Sequence, residues 1–254
     1  MPGEQSDPCN QNQTVVPQLS DTDLSTIFTR LSLNAGLAVF LLAGLFLLLL
    51  GYYNYLLVHT LIEVFSIILL SAVFLIGWNT RHLVHSQFFV ILAIGFLVTG
   101  MVDLLHTFTY QGMQIIPEAG ADIATQLWVI ARSISAGAFI CAIATLGRKE
   151  ICSPKTWLLT FLLVTGFFVA LVWPLNIFPL CYIEGVGLTA FKVYSEYAII
   201  GALCLAAVLL YLQKKNLNPQ LTKLLLVSIA MSVASELRFS LYTEVDGLFT
   251  FLGH

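Results

Sequence analysis

Long runs of apolar residues alternate with short polar stretches along nearly the whole chain. Seven of these runs are about 20 residues long, the length that a helix needs to cross the hydrocarbon core of a bilayer. They cover residues 31–53, 57–78, 87–109, 123–146, 156–175, 190–212 and 221–242. Backbone polar groups find no water inside lipid, so each run is predicted to be a helix. The period-2 alternation of a membrane barrel is missing. The pattern therefore predicts an all-α bundle of seven transmembrane helices.

The two ends of the chain depart from this pattern. Residues 1–30 are polar and lack the basic start and apolar core of a signal peptide, which predicts a polar tail. After Asp246 and Gly247 the chain turns apolar again at Leu248–Leu252 and stops at His254. This predicts the opening of an eighth helix. We expect the natural chain to continue, so that residues 31–254 form a transmembrane domain truncated in its last helix.

The composition supports a membrane protein. Hydrophobic residues make up 58% of the chain and charged residues 10%, whereas soluble domains carry about 25% charge. The net charge of -3 argues against nucleic acid as a partner. The five cysteines form no CxxC pair, which predicts buried, inert thiols.

The basic residues of the connections predict the orientation. Short cytoplasmic loops of membrane proteins are enriched in Lys and Arg. With seven helices, eight basic residues fall on one side: Arg30, Arg81, Arg148, Lys149, Lys155, Lys214, Lys215 and Lys223. Lys192 is the single basic residue assigned to the opposite side. The bias predicts a multi-pass protein of the inner (plasma) membrane whose N-terminal tail is cytoplasmic.

Ionisable residues nevertheless occur inside the apolar runs. Each costs roughly 2.5–3.5 kcal/mol at the centre of a membrane helix on insertion scales. Under the predicted orientation all of them lie in the outer half of the bilayer, and a common depth indicates a shared pocket. The set comprises His59, Glu63, Asp103, His106, Arg132, Glu196, Glu236 and Arg238.

The spacing of these residues predicts which of them face each other. His59 and Glu63 are separated by four positions, and Asp103 and His106 by three, so each pair lies on one helix face. We expect Arg132 to pair with a carboxylate at its depth. The candidates are Glu63, Glu196 and Glu236, with Arg238 as a second base. Asp103 lies nearer the surface, where it is expected to orient a histidine.

Three interpretations of the cluster remain open from these residues. They are interhelical ion pairs that fix packing, a site for a metal or haem, and a site for an organic ligand such as a quinone or lipid. The metal donors would be His59, Glu63, Asp103 and His106, and the two imidazoles could instead hold a haem iron. The ligand-binding residues would be Glu63, Trp128, Arg132, Glu196 and Glu236. His254 would be a spare metal donor if the eighth helix packs here. His82 and His85 are expected in a solvated loop, and no catalytic motif is present.

Several segments resemble one known family. These are the run from His59 to Trp78, Gly100–Thr107, Tyr110–Met113, and Ala124–Trp128 followed by Arg132. Ser235-Glu236 and Phe251–His254 are similar to its later motifs. Together they resemble the third membrane-associated sensor (MASE) domain family of bacteria and archaea.

The resemblance implies an N-terminal input module without enzymatic activity. It precedes a cytoplasmic output module such as a histidine kinase or a diguanylate cyclase. The expected partners are the lipid bilayer, that output module and a second copy in a homodimer. A proton-coupled transporter or a membrane enzyme remains the alternative, because both also use buried acids and histidines.

Overall fold

The computed structural model describes residues 21–83, 86–113, 115–116, 120–148 and 152–239. Two compact units make up the chain, residues 1–49 and residues 50–254, and each is described by itself. The first unit contributes the described part of helix α1, which begins at Asp21. The second unit contains the end of α1 at Tyr53 and all later elements. The expectations for His85 and His254 lie outside the described residues.

The described chain is helical except for one small hairpin. Seven α-helices follow in the order α1 (Asp21–Tyr53), α2 (Tyr55–Thr80), α3 (Gln87–Thr109), α4 (Ala121–Ala144), α5 (Pro154–Val172), α6 (Ala190–Leu212) and α7 (Pro219–Phe239). The hairpin pairs β1 (Tyr182–Ile183) with β2 (Gly187–Leu188) in antiparallel register. A short 3-10 turn, Lys214–Asn216, precedes α7. Helices α2 to α7 are each long and apolar enough to span a membrane.

The predicted helical bundle is confirmed, with small differences at the helix ends. Side chains at the polar breaks cap several helices: Asn54 Oδ1 accepts from Leu57 N, and Ser153 Oγ accepts from Thr156 N. The fifth run was predicted to reach residue 175, but α5 ends at Val172. Pro174 follows directly, and a proline disfavours the helical conformation in the residue before it.

Helices α3 and α4 form the centre of the second unit. They pack most closely with each other, while α2 packs on α3, α6 on α4, α7 on α6, and α5 on both α3 and α4. Small residues allow the close contact: a Cβ placed on Gly95 of α3 would lie 2.2 Å from the Cβ of Ala138 on α4. Association in lipid depends on such packing, because lipid tails are as apolar as the helix faces. The central pair therefore supplies a rigid base for polar side chains.

Candidate functional site

Two buried histidines approach each other between α2 and α3. His59 is the fifth residue of α2, and His106 lies in the last turn of α3. Their ring centroids are 5.7 Å apart, and the side chains are 1% and 4% exposed. Tyr110 stacks on His59 at 3.9 Å between ring centroids, and Trp128 of α4 lies 5.5 Å from His106. The expected convergence of the two imidazoles is present in the structure.

The hydrogen bond of His106 fixes its tautomer. Its Nδ1 lies 2.7 Å from the carbonyl oxygen of Ala124, at the start of α4. A carbonyl oxygen only accepts, so Nδ1 carries the hydrogen, and in the neutral ring Nε2 carries a lone pair. Metal-binding histidines show this arrangement, in which the second ring nitrogen donates to a carbonyl or carboxylate.

Glu63 completes a group of three metal-type donors. One donor atom each from His59, Glu63 and His106 lies within 4.8 Å of the others, and all three residues are buried. Zn–N distances of about 2.0–2.1 Å place tetrahedral donors roughly 3.4 Å apart. A bound ion would therefore draw the three side chains together by about an ångström. Asp103, the fourth predicted donor, is outside this group.

The carboxylate of Asp103 is instead paired with Arg132. Nη2 of Arg132 lies 2.5 Å from both carboxylate oxygens, and the guanidinium carbon lies 4.5 Å from the centre of the Trp128 ring. The prediction that Arg132 pairs with Glu63, Glu196 or Glu236 was wrong. The expected role of Asp103 in orienting a histidine was also wrong, because a backbone carbonyl performs it.

Asp103 pairs with Arg132 because of the direction in which side chains tilt along a helix. Asp103 lies about 9 Å before the end of α3, and Arg132 about 16 Å after the start of α4, measured along each helix at 1.5 Å per residue. Side chains tilt toward the N-terminus of their own helix. Because α3 and α4 are antiparallel, the side chains of Asp103 and Arg132 tilt toward each other. They meet although their Cα atoms lie at different depths in the bundle.

A second buried group lies on α6 and α7. Nζ of Lys192 is 2.6 Å from Oε1 of Glu196, and both side chains are fully buried. Glu236 of α7, 3% exposed, lies within electrostatic range of Glu196 and of Arg132. Lys192 was therefore wrongly assigned to the outer connection. The i,i+4 spacing of Lys192 and Glu196 was the signal that the sequence reasoning missed.

Arg238 does not join these groups. It lies at the end of α7 with its side chain exposed, so its predicted role as a second internal base was wrong. A residue so close to the end of a helix can extend its long side chain toward the interface. His82 is exposed in the connection after α2, as expected.

The connection between α5 and α6 closes the site from one end. Oδ1 of Asp122 accepts hydrogen bonds from the backbone N–H groups of Cys181 and Tyr182, both at 2.7 Å. Gly185 turns the hairpin with φ +77, a conformation that favours glycine. Leu188 of the hairpin then packs on Trp128. Asp122 therefore anchors the hairpin that packs on Trp128.

One comparison with known proteins identifies the family. The family model of the membrane-associated sensor domain MASE3 matches residues 50–254. The chain belongs to this family. No curated protein and no solved structure matches the chain. The resemblance found in the sequence motifs is thus confirmed, and the match begins where the second unit begins.

In this sensor domain the buried charges do not balance. Among the described residues of the bundle, four buried carboxyl groups lie near two cations. The acids are Glu63, Asp103, Glu196 and Glu236, and the cations are Arg132 and Lys192. Unpaired charge is costly away from water. The cluster therefore favours the binding of protons or of a cation and disfavours an added anion.

A cleft of about 260 Å³ opens beside the ion pair of the sensor domain. Its polar lining comes from Glu63 and Ser66 of α2, Asp103 of α3, Trp128 and Arg132 of α4, and Ser235 of α7. Ile62, Leu69 and Leu70 complete it on the side of α2. About a quarter of the Arg132 side chain is exposed. The cleft thus has Glu63, one of the metal-type donors, and the Asp103–Arg132 ion pair in its wall.

Proposed function

We propose that the chain is the sensory input domain of a signal-transduction protein, and that it binds a transition-metal ion at His59, Glu63 and His106. The observation that carries this proposal is the convergence of three buried donors, with His106 held in the metal-binding tautomer. Two imidazoles and one carboxylate suit zinc, copper or iron. A divalent cation would also offset the excess of buried carboxylates.

Haem is the less favourable occupant of the two that the histidines suggest. A porphyrin needs a flat space between its two axial ligands. Tyr110 stacks on His59, and the donor atom of Glu63 lies within 4.8 Å of those of both histidines. These groups fill the volume that the macrocycle would need, whereas a single ion requires only that the donors move closer.

The signal would arise from the relative movement of α2 and α3. His59 and Glu63 belong to α2, whereas His106 belongs to α3, which is packed firmly against α4. Closure of the donors around an ion would shift α2 toward α3 and change the population of two helix arrangements. We propose that this change reaches a cytoplasmic kinase or cyclase module through the last helix, within a homodimer in the inner membrane. Membership of a sensor family supports this role over transport or catalysis.

Metal analysis tests the proposal directly. We expect protein purified without chelator to contain about one equivalent of a transition metal, and His59→Ala and His106→Ala each to lose it. Glu63→Gln, which removes a charged donor, should weaken binding at least tenfold in a competition titration. His82→Ala is the matched control and should keep the metal, because His82 is exposed elsewhere. A parent protein without metal, or full occupancy in both alanine variants, would contradict the site.

A further inference from the structure

The cleft beside Arg132 has the features of a site for a second, organic ligand. Nε of Arg132 is buried without a hydrogen-bond partner, and within the described part of the chain the guanidinium donates only to Asp103. A buried guanidinium with unused N–H groups is costly away from water. About a quarter of the Arg132 side chain is exposed, and an acceptor oxygen in the cleft would satisfy the guanidinium N–H groups on that side.

The charge of the surroundings determines which acceptor is suitable. Four buried carboxyl groups already outnumber the two cations, so a carboxylate or phosphate ligand would add to an excess of negative charge. A neutral carbonyl oxygen accepts hydrogen bonds from a guanidinium without this penalty. The ligand is therefore expected to be neutral and to offer acceptors.

The polarity of the cleft changes along its length. Glu63 and Arg132 lie at one end, whereas Leu69 and Leu70, about two turns further along α2, line the other. The side chain of Leu69 is 49% exposed on the outer face of α2, so the described residues leave this end open to the hydrocarbon. A ligand with a polar head and an apolar tail could enter sideways from the membrane.

We infer that the cleft binds the head group of an oxidised, membrane-soluble quinone with an apolar tail. A quinone ring is flat and neutral, and it carries carbonyl acceptors. One carbonyl accepts from Arg132, and the tail leaves past Leu69. The cleft volume of about 260 Å³ suits one ring better than a phospholipid with its head group and two chains. The inference uses the same region as the proposed metal site, but it does not require the metal.

Fluorescence quenching tests the inference with decylubiquinone as the probe. Trp128 lines the cleft and is one of four tryptophans. Replacing Trp78, Trp157 and Trp173 by Phe leaves it as the single reporter in the full chain in detergent. Oxidised decylubiquinone should quench Trp128 saturably. Ser66→Leu, which fills the cleft without touching the ion pair, should weaken binding at least tenfold, and Arg132→Gln should act in the same direction.

Two further measurements separate the possible outcomes. Ser133→Ala is the matched control, because Ser133 follows Arg132 but lines a different groove between α4, α5 and α6. The affinity of this variant for decylubiquinone should equal that of the parent protein. Quenching that does not saturate, or that Ser66→Leu leaves unchanged, would overturn the inference. Phospholipid retained in native mass spectra and lost in Ser66→Leu, without quenching, would assign the cleft to a lipid instead. The metal content of every variant should also be measured, so that loss of quinone binding can be distinguished from loss of the metal.

Discussion

The ion pair between Asp103 and Arg132 makes a strong prediction about stability. Arg132→Leu removes the cation that lies 2.5 Å from the Asp103 carboxylate, a group only 1% exposed. Loss of one partner of a buried pair costs about 3–5 kcal/mol, because the other charge stays buried without compensation. A quarter of the Arg132 side chain faces the cleft, so we expect the lower end, about 3 kcal/mol.

Thermal unfolding in detergent measures this loss. For a chain of this size, 1 kcal/mol shifts the midpoint by about 2–4 °C, so Arg132→Leu should unfold about 6–12 °C below the parent. The double variant Asp103→Leu with Arg132→Leu should regain at least half of the loss, because it leaves no lone charge. Ser133→Ala serves as the control on the same helix. An Arg132→Leu midpoint within about 2 °C of the parent, or a double variant whose loss equals the sum of the single losses, would refute the reasoning.

Three further predictions concern other parts of the chain. A reporter active only in the periplasm, fused after residue 217, should be silent, because this connection is predicted to be cytoplasmic. Strong activity would show that the predicted orientation is wrong. Lys192→Met should destabilise the protein by about 3–5 kcal/mol in thermal unfolding, because the buried Glu196 loses the cation that pairs with it; Lys192→Arg should retain more stability. Burial raises the pKa of the Cys181 thiol to about 12, so maleimide labelling should be slow at pH 7 and rise about tenfold per pH unit below that value. Asp122→Ala should release the hairpin and speed this labelling; an unchanged rate would contradict the anchoring role.

The positions of the helices could be predicted from the sequence because a single strong effect, the burial of long apolar runs in lipid, determines them. An apolar run long enough to span a bilayer has no alternative to a helix in lipid, so the positions of α2 to α7 follow from hydropathy. The approach of His59 and His106 also followed from counting, because α2 and α3 are antiparallel and joined by a short connection. The depth of a residue in the membrane follows directly from its position along the helix.

The partners of charged residues could not be obtained in this way. Residue number gives the depth of a Cα atom, but Arg132 reaches Asp103 through a long side chain that leans toward the start of its helix. Lys192 was assigned to water because it lies near the end of a run, although α6 turns it inward onto Glu196. The hairpin depends on hydrogen bonds to Asp122 that carry no hydrophobic pattern. Side-chain length and helix rotation decide these contacts.

The oblique course of the Asp103–Arg132 pair restricts how the bundle can move. The bond links a shallow position on α3 to a deeper one on α4, and Gly95 rests against Ala138 in the same interface. If either helix slid along its axis by a single residue, about 1.5 Å, the ion pair would be stretched and the small residues would lose their register. We therefore expect α3 and α4 to keep their positions relative to each other. In the proposed sensor function, the displacement falls to the helices around this pair, and α2 and α7, which border the cleft, are in the best position to move.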